Sequence, residues 1–127
     1  MSSLQRYRQL LKNRNAVLRS GRVDQALVSV WEDPLVEHGS RVVVERSNWV
    51  AAHEQSFAAK YAAISGMQTQ LRYLCGIRGD LDFGDELKLR EQFRADLHRL
   101  APRERERGQT LSGPHRDDLG FAYDSGE

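Results

Sequence analysis

The stretch PLVEHGSRVVVERSNWVAAHEQSFAAKYAAI, residues 34–64, decides what kind of fold this chain adopts. Its apolar residues Leu35, Val42, Val43, Trp49, Val50, Phe57, Tyr61 and Ile64 recur mostly three, four or seven apart, the period of one helix face. A helix over this stretch has about 31 residues and a length of about 45 Å at ~1.5 Å per residue. So long an amphipathic helix calls for a long antiparallel partner, from this chain or from another subunit. Trp49 and Phe57 are read as residues of that seam, while Gly39 and the pair Ala51 and Ala52 weaken a strict heptad.

Upstream, WEDP at residues 31–34 breaks or redirects a short helix begun at 23–30, because the residue before a proline is biased away from helical geometry. The preferred alternative places Pro34 in the first turn of the long helix, after Asp33. The first helix is the obvious antiparallel partner. Ser3 caps it, its apolar face reads Leu4, Tyr7, Leu10 or Leu11, Val17 and Leu18, and Gly21 after Arg19 stops it. It also carries Arg6, Arg8, Lys12, Arg14 and Arg19, with Arg22 beyond and no acid before Asp24. The plain reading is a solvated face paired with acids elsewhere; the sharper one is contact with a phosphate backbone or a partner protein.

Downstream, the period changes to two. In QLRYLCG, Leu71, Tyr73 and Cys75 alternate with Arg72 and Leu74, which predicts a short strand near 70–76 ending at Gly76. A polar loop leads to Asp85 as a cap, then Leu89, Phe93, Leu97 and Leu100 form another helical face, with Pro102 at or near its end. PRERERGQ is read as a solvated extension or loop. The last segment alternates again, with Leu119, Phe121 and Tyr123 on one side of a second strand, and stops where a hairpin would need a return strand. The whole is mainly α. A helical lobe at 1–108 contains a long antiparallel hairpin and a small β element, and 109–127 forms a returning strand.

Composition bounds the function. A length of 127 residues suits one domain, and 39% hydrophobic against 29% charged residues leaves much helix surface in water. Nineteen basic against 18 acidic residues give a net charge of +1, which is not the footprint of a stand-alone nucleic-acid binder, although local patches can act. Cys75 is the single cysteine, so no internal disulfide forms; it fits a reducing compartment and reads as buried filler. No run of about 18 apolar residues occurs, and cytoplasm is the default.

TLSGPHRDDLGF, residues 110–121, concentrates the chemistry. His115, Asp117 and Asp118 offer metal ligands, but His38, His53 and His98 lack ligand-like spacing. His115 and Asp117 offer an acid–base pair without a nucleophile on a recognisable turn, since Ser112 is not in an elbow sequence. The structural reading is stronger: Gly113 and Pro114 shape a turn, and Asp117 or Asp118 accepts backbone hydrogen bonds or pairs with Arg116. A phosphate contact through Arg116 or His115 is the sharper alternative. No GxxxxGK[ST] cradle is present.

GPHRDDLGF, residues 113–121, resembles the signature of the RecF family of bacterial DNA replication and repair proteins. YRQLLKNRNAVLR, residues 7–19, resembles that family's LKxRNxLL helix through Leu11, Lys12, Arg14, Asn15, Ala16, Val17 and Leu18. WEDPLVEHG, residues 31–39, is similar to the family's approach to its long helix, where Arg46 and Trp49 stand at an arginine and an aromatic position. ERERGQTLSGPHRDD continues in register.

The resemblance implies a fragment of an SMC/ABC-type ATPase: the inserted helical lobe and the first strand returning to a head absent from this chain. It implies no catalytic residue, metal or cofactor here, because the Walker A, cassette-signature and Walker B segments have no counterpart. In the parent it implies ATP and Mg, double-stranded DNA, RecR and RecO as partners, and RecA loading at gaps. Arg6, Lys12, Arg14 and Arg19 are the expected DNA or partner contacts. Gly113, Pro114, His115, Arg116, Asp117 and Asp118 are the expected motif coupling arm to head. The rival expectation is a purely structural or protein-interaction module that positions the head and binds no DNA.

Overall fold

The computed structural model describes residues 1–20 and 25–124. Helix α1, Ser3–Arg19, starts at the residue expected as its cap, so the cap lies one residue earlier. Ser2 caps it, because Gln5 three positions on closes a reciprocal box: Gln5 N–H donates to Ser2 Oγ (3.2 Å) and Ser2 N–H donates to Gln5 Oε1 (2.9 Å). The helix closes at Ser20, and the expected stop at Gly21 and helix start at Val23 lie outside the described residues.

Helix α2, Gln25–Ser65, is one unbroken helix of 41 residues, so the expected break before Pro34 does not occur. A proline inside a helix removes a hydrogen bond and costs about 3 kcal/mol. Leu35 and Val36, directly after it, are fully buried, and each such side chain contributes about 1.5–3 kcal/mol. Burial on both sides of the proline, from Val28 to Val43, outweighs the local break.

The hairpin is antiparallel, since Tyr7 of α1 lies against Gly39 of α2 while Leu18 lines one cleft with Val28. Gly39 makes the close approach: a Cβ there would stand 2.7 Å from Phe93 and 2.9 Å from Tyr7. Buried positions of α2 end at Val50. Trp49 leaves the expected seam, half exposed, and stacks on His53 at 4.3 Å. Ile64 is likewise exposed, because the short α1 cannot follow so long a helix.

Strand β1, Gln68–Leu74, takes over along the outer part of α2 and ends before Cys75 and Gly76. Thr69 and Leu71 face inward while Gln68, Gln70, Arg72 and Leu74 face solvent. It pairs antiparallel with β2, Asp118–Asp124, in a register that sets Leu71 opposite Phe121 and Tyr73 opposite Leu119. Phe121 packs on Phe57 of α2 at 5.5 Å.

Helix α3, Glu86–Arg107, begins at the expected cap, Asp85, whose Oδ1 accepts the Lys88 N–H at 3.1 Å. It does not end near Pro102. The proline is exposed, and the turn beyond it is anchored by buried Glu104. Three helices thus enclose one core of Tyr7, Leu10, Leu35, Val36, Val42, Val43, Ile77, Leu89, Phe93 and Leu97.

Candidate functional site

The segment from Thr110 through the single 3-10 turn Pro114–Arg116 to Asp118 is held, residue by residue, by all three helices and β1. Its first anchor is a buried ion pair. Arg14 is 3% and Glu104 1% exposed; Arg14 Nη2 donates to Glu104 Oε1 at 2.9 Å and Nη1 donates to Thr110 Oγ1 at 2.7 Å. Glu104 Oε2 accepts the Leu111 N–H at 2.8 Å. Asn15 Oδ1 accepts both the N–H and the hydroxyl of Thr110, at 2.8 and 2.7 Å. The Arg14–Asn15 pair of α1 therefore grips a segment some 95 residues away in sequence.

Arg14 is thus corrected from an expected phosphate contact to a buried structural cation, enclosed with its partners and out of reach of a polyanion. Its place was readable: Tyr7, Leu10, Arg14 and Leu18 fall on one helical stripe, as do Leu89, Phe93, Leu97, Leu100 and Glu104. Arg6, Lys12 and Arg19 are exposed on α1.

Ser112 is fully buried and donates its hydroxyl to Asp96 Oδ2 at 2.6 Å. Asp96 also accepts the Arg78 N–H and two bonds from the Arg99 guanidinium. Burial pushes the Asp96 carboxyl up, but the donors from Ser112, Arg99 and Arg78 outweigh it and hold the carboxyl below the usual range. Ser112 is therefore a structural donor, not a nucleophile.

Gly113 has φ 131°, and a side chain there would run into the Tyr7 hydroxyl and the Phe93 ring. Pro114 follows, fully buried, its carbonyl accepting Arg46 Nη1 at 2.7 Å. The Nε2 of His115 meets the carbonyl of Thr110 at 2.8 Å, an acceptor only, so Nε2 carries the proton. Its Nδ1 then accepts the Tyr7 hydroxyl at 2.7 Å. Partial desolvation of the ring, whose two nitrogens face Thr110 and Tyr7, lowers the His115 pKa below its ordinary value, and burial with nearby Asp117 raises that of Tyr7, so a neutral imidazole faces a protonated phenol.

Acidification should therefore weaken the fold first through His115. The unfolded chain takes up this proton near pH ~6.5 and the folded chain only at lower pH, so stability is full above that window and falls through it. The urea midpoint should drop more between pH 7 and pH 5 for the native chain than for His115→Gln. Equal drops would remove His115 from the clasp, the set of bonds that holds residues 110–118 to the helices and β1.

Asp117 is the second anchor. Its Oδ1 accepts the Gly76 N–H at 2.7 Å, and its Oδ2 accepts Arg46 Nη1 at 2.8 Å and the Tyr73 hydroxyl. Among the described residues the expected pairing of Arg116 with Asp117 or Asp118 is not made: Asp117 pairs with Arg46 of α2, and Asp118 Oδ1 accepts its neighbour's N–H, at Leu119. His115 and Asp117 point to different partners, so no acid–base pair forms. Among the described residues no group of three or more histidine, cysteine or acidic side chains is placed to hold a metal ion. Cys75 is packed against the core, and burial pushes its thiol up to about 11. Asp96 and Glu104 are the clasp residues that the sequence reading did not single out, whereas Asn15 stood in the helix motif and Tyr73 in the strand alternation.

Fold and clasp together define a helical-hairpin lobe locked onto a two-stranded sheet through the turn Pro114–Arg116 and its flanking residues. Over 91% of its length the chain is 34% identical to the DNA replication and repair protein RecF of Clavibacter michiganensis subsp. michiganensis, and over 92% it is 36% identical to that of Herpetosiphon aurantiacus. A solved structure of the recombination mediator protein RecF-ATPrS in the RecFOR pathway superposes with a TM-score of 0.87 at 23% identity, covering 95% of this chain and 33% of that one. No family model matches. The chain thus matches RecF proteins over nearly its whole length and spans about a third of the length of the curated relatives it matches. Among the described residues, no helix is long and apolar enough to cross a membrane.

Proposed function

We propose that this chain is the non-enzymatic helical arm of a RecF-like DNA replication and repair ATPase, and that residues 110–118 transmit the arm's position to the ATPase head. The observation that carries this reading is the saturation of the segment. Thr110, Ser112, His115 and Asp117 all direct polar side-chain atoms to groups of the arm. In the parent protein, ATP with Mg would drive the head, double-stranded DNA would be the substrate, and RecR and RecO would be partners in loading RecA at gaps. The arm works in the cytoplasm. Its exposed Arg6, Lys12 and Arg19 offer cations to a phosphate backbone or an acidic partner surface.

The test is a titration of the chain with fluorescent double-stranded DNA over a salt series, with circular dichroism at each condition. Saturable binding should weaken steeply with salt, about 0.9 in log–log slope per phosphate neutralised. Arg6→Glu with Lys12→Glu should flatten that slope by about two units while leaving the helical spectrum unchanged. No binding by the folded chain would overturn the DNA-contact reading. It would favour the second reading, a purely structural or protein-interaction module that positions the head, which the burial of Arg14 in the fold supports.

A further inference from the structure

A cleft of about 180 Å³ opens between α3, the turn Pro114–Arg116 and the loop after β1. Five arginines line it: Arg78, Arg99, Arg103, Arg107 and Arg116. Asp96 is the one carboxylate among the lining residues, and both its oxygens are already occupied by Arg99, Ser112 and the Arg78 N–H. None of the guanidinium groups of Arg78, Arg103, Arg107 and Arg116 forms an ion pair among the described residues.

Arg99, Arg103 and Arg107 stand four apart on α3, so they share a face, with a cation every ~6 Å along the axis. Like charges at this spacing cost a helix a few tenths of a kcal/mol per pair. The clasp adds to the cluster rather than relieving it. Its turn sets Arg116 directly against the backbone of Gly76, two residues before Arg78. At the far end the stem of Arg19 would meet a Cβ at Gly108 at 3.0 Å, beside Arg107. The fold thus gathers five arginines from three elements and, among the lining residues, sets against them only Asp96, which pairs with Arg99.

We propose that this cleft is a binding seat for a row of phosphate oxyanions, as a nucleic-acid backbone or a polyphosphate chain presents them. Guanidinium forks match phosphate geometry. The row from Arg99 to Arg107 covers ~12 Å, along which one strand of a duplex places three to four phosphates at ~3.4 Å of axis each. The seat deepens the DNA-contact reading above, and its nucleic-acid arm rests on that reading.

The experiment titrates the chain with a labelled duplex, and separately with tripolyphosphate, for the native sequence, Arg103→Glu/Arg107→Glu, Arg103→Gln/Arg107→Gln and Arg6→Glu/Lys12→Glu, with thermal melts as the fold check. The first two variants should weaken duplex binding by about tenfold or more and flatten the salt slope by about two units, with melting temperatures kept or raised because repulsion is relieved. Duplex binding that survives both Arg103/Arg107 variants and is lost in Arg6→Glu/Lys12→Glu overturns the seat and leaves the α1 reading standing. Tripolyphosphate binding that depends on Arg103 and Arg107, without duplex binding, supports the seat with free polyphosphate as its source and overturns the DNA-contact reading. Binding of neither probe by the folded native chain overturns the seat.

Discussion

Arg14→Ala is expected to be the most damaging single substitution in this chain. It leaves Glu104, 1% exposed, as a buried carboxylate without its cation, and removes a donor from Thr110. Breaking a buried pair by deleting one partner costs about 3–5 kcal/mol. At this size each kcal/mol lowers the melting temperature by roughly 4 °C, so thermal melts should show a drop of about 12–20 °C, with the urea midpoint falling in parallel. Arg14→Lys keeps the charge but loses the planar fork that spans both Glu104 oxygens and Thr110, so it should fall between the two. A stable Arg14→Ala variant would show that the pair does not hold the clasp.

Asp117→Asn tests the other anchor with almost no change of shape. All three partners of Asp117 are donors: the Gly76 N–H, the Arg46 guanidinium and the Tyr73 hydroxyl. An asparagine offers one oxygen and one NH2 group, so one side of the carboxylate site must face donor against donor whichever way the amide turns. An unsatisfied buried donor costs about 1–3 kcal/mol, and losing the charge opposite Arg46 adds to it. Hydrogen exchange should show the Gly76 amide losing protection while the amides of the α3 core keep theirs, because the sheet and turn open before the helical core does. Undiminished protection at Gly76 would refute the role assigned to Asp117.

Both substitutions act where periodicity alone falls short. The stripe of α1 placed Arg14 on the buried face, but a reading of charge counted it with Arg6, Lys12 and Arg19 as solvent-facing. The partner that neutralises it stands 90 residues away and past a proline taken as a helix end. Pro34 misled in the same way. A local rule prices the lost hydrogen bond of a proline, and the burial of Leu35, Val36 and Glu104 outweighs it from a distance. Motif resemblance found the segment at 113–118 without showing that its side chains are spent inward, so the arginine cleft beside it went unnoticed.

The sequence by itself determined the kind and order of the main elements: a basic amphipathic helix, a very long helix, a strand, a capped helix and a second strand. Each follows from the spacing of apolar side chains at 3.6 or 2 residues and from caps such as Asp85, which are properties of neighbouring residues. Only the tertiary structure decided which charges are buried, which helices run through their prolines, and which arginines collect around one cleft. Those outcomes depend on burial and on partners distant in the chain, and Coulomb attraction in a dehydrated interior is set by where side chains meet in space, not by their order in the chain.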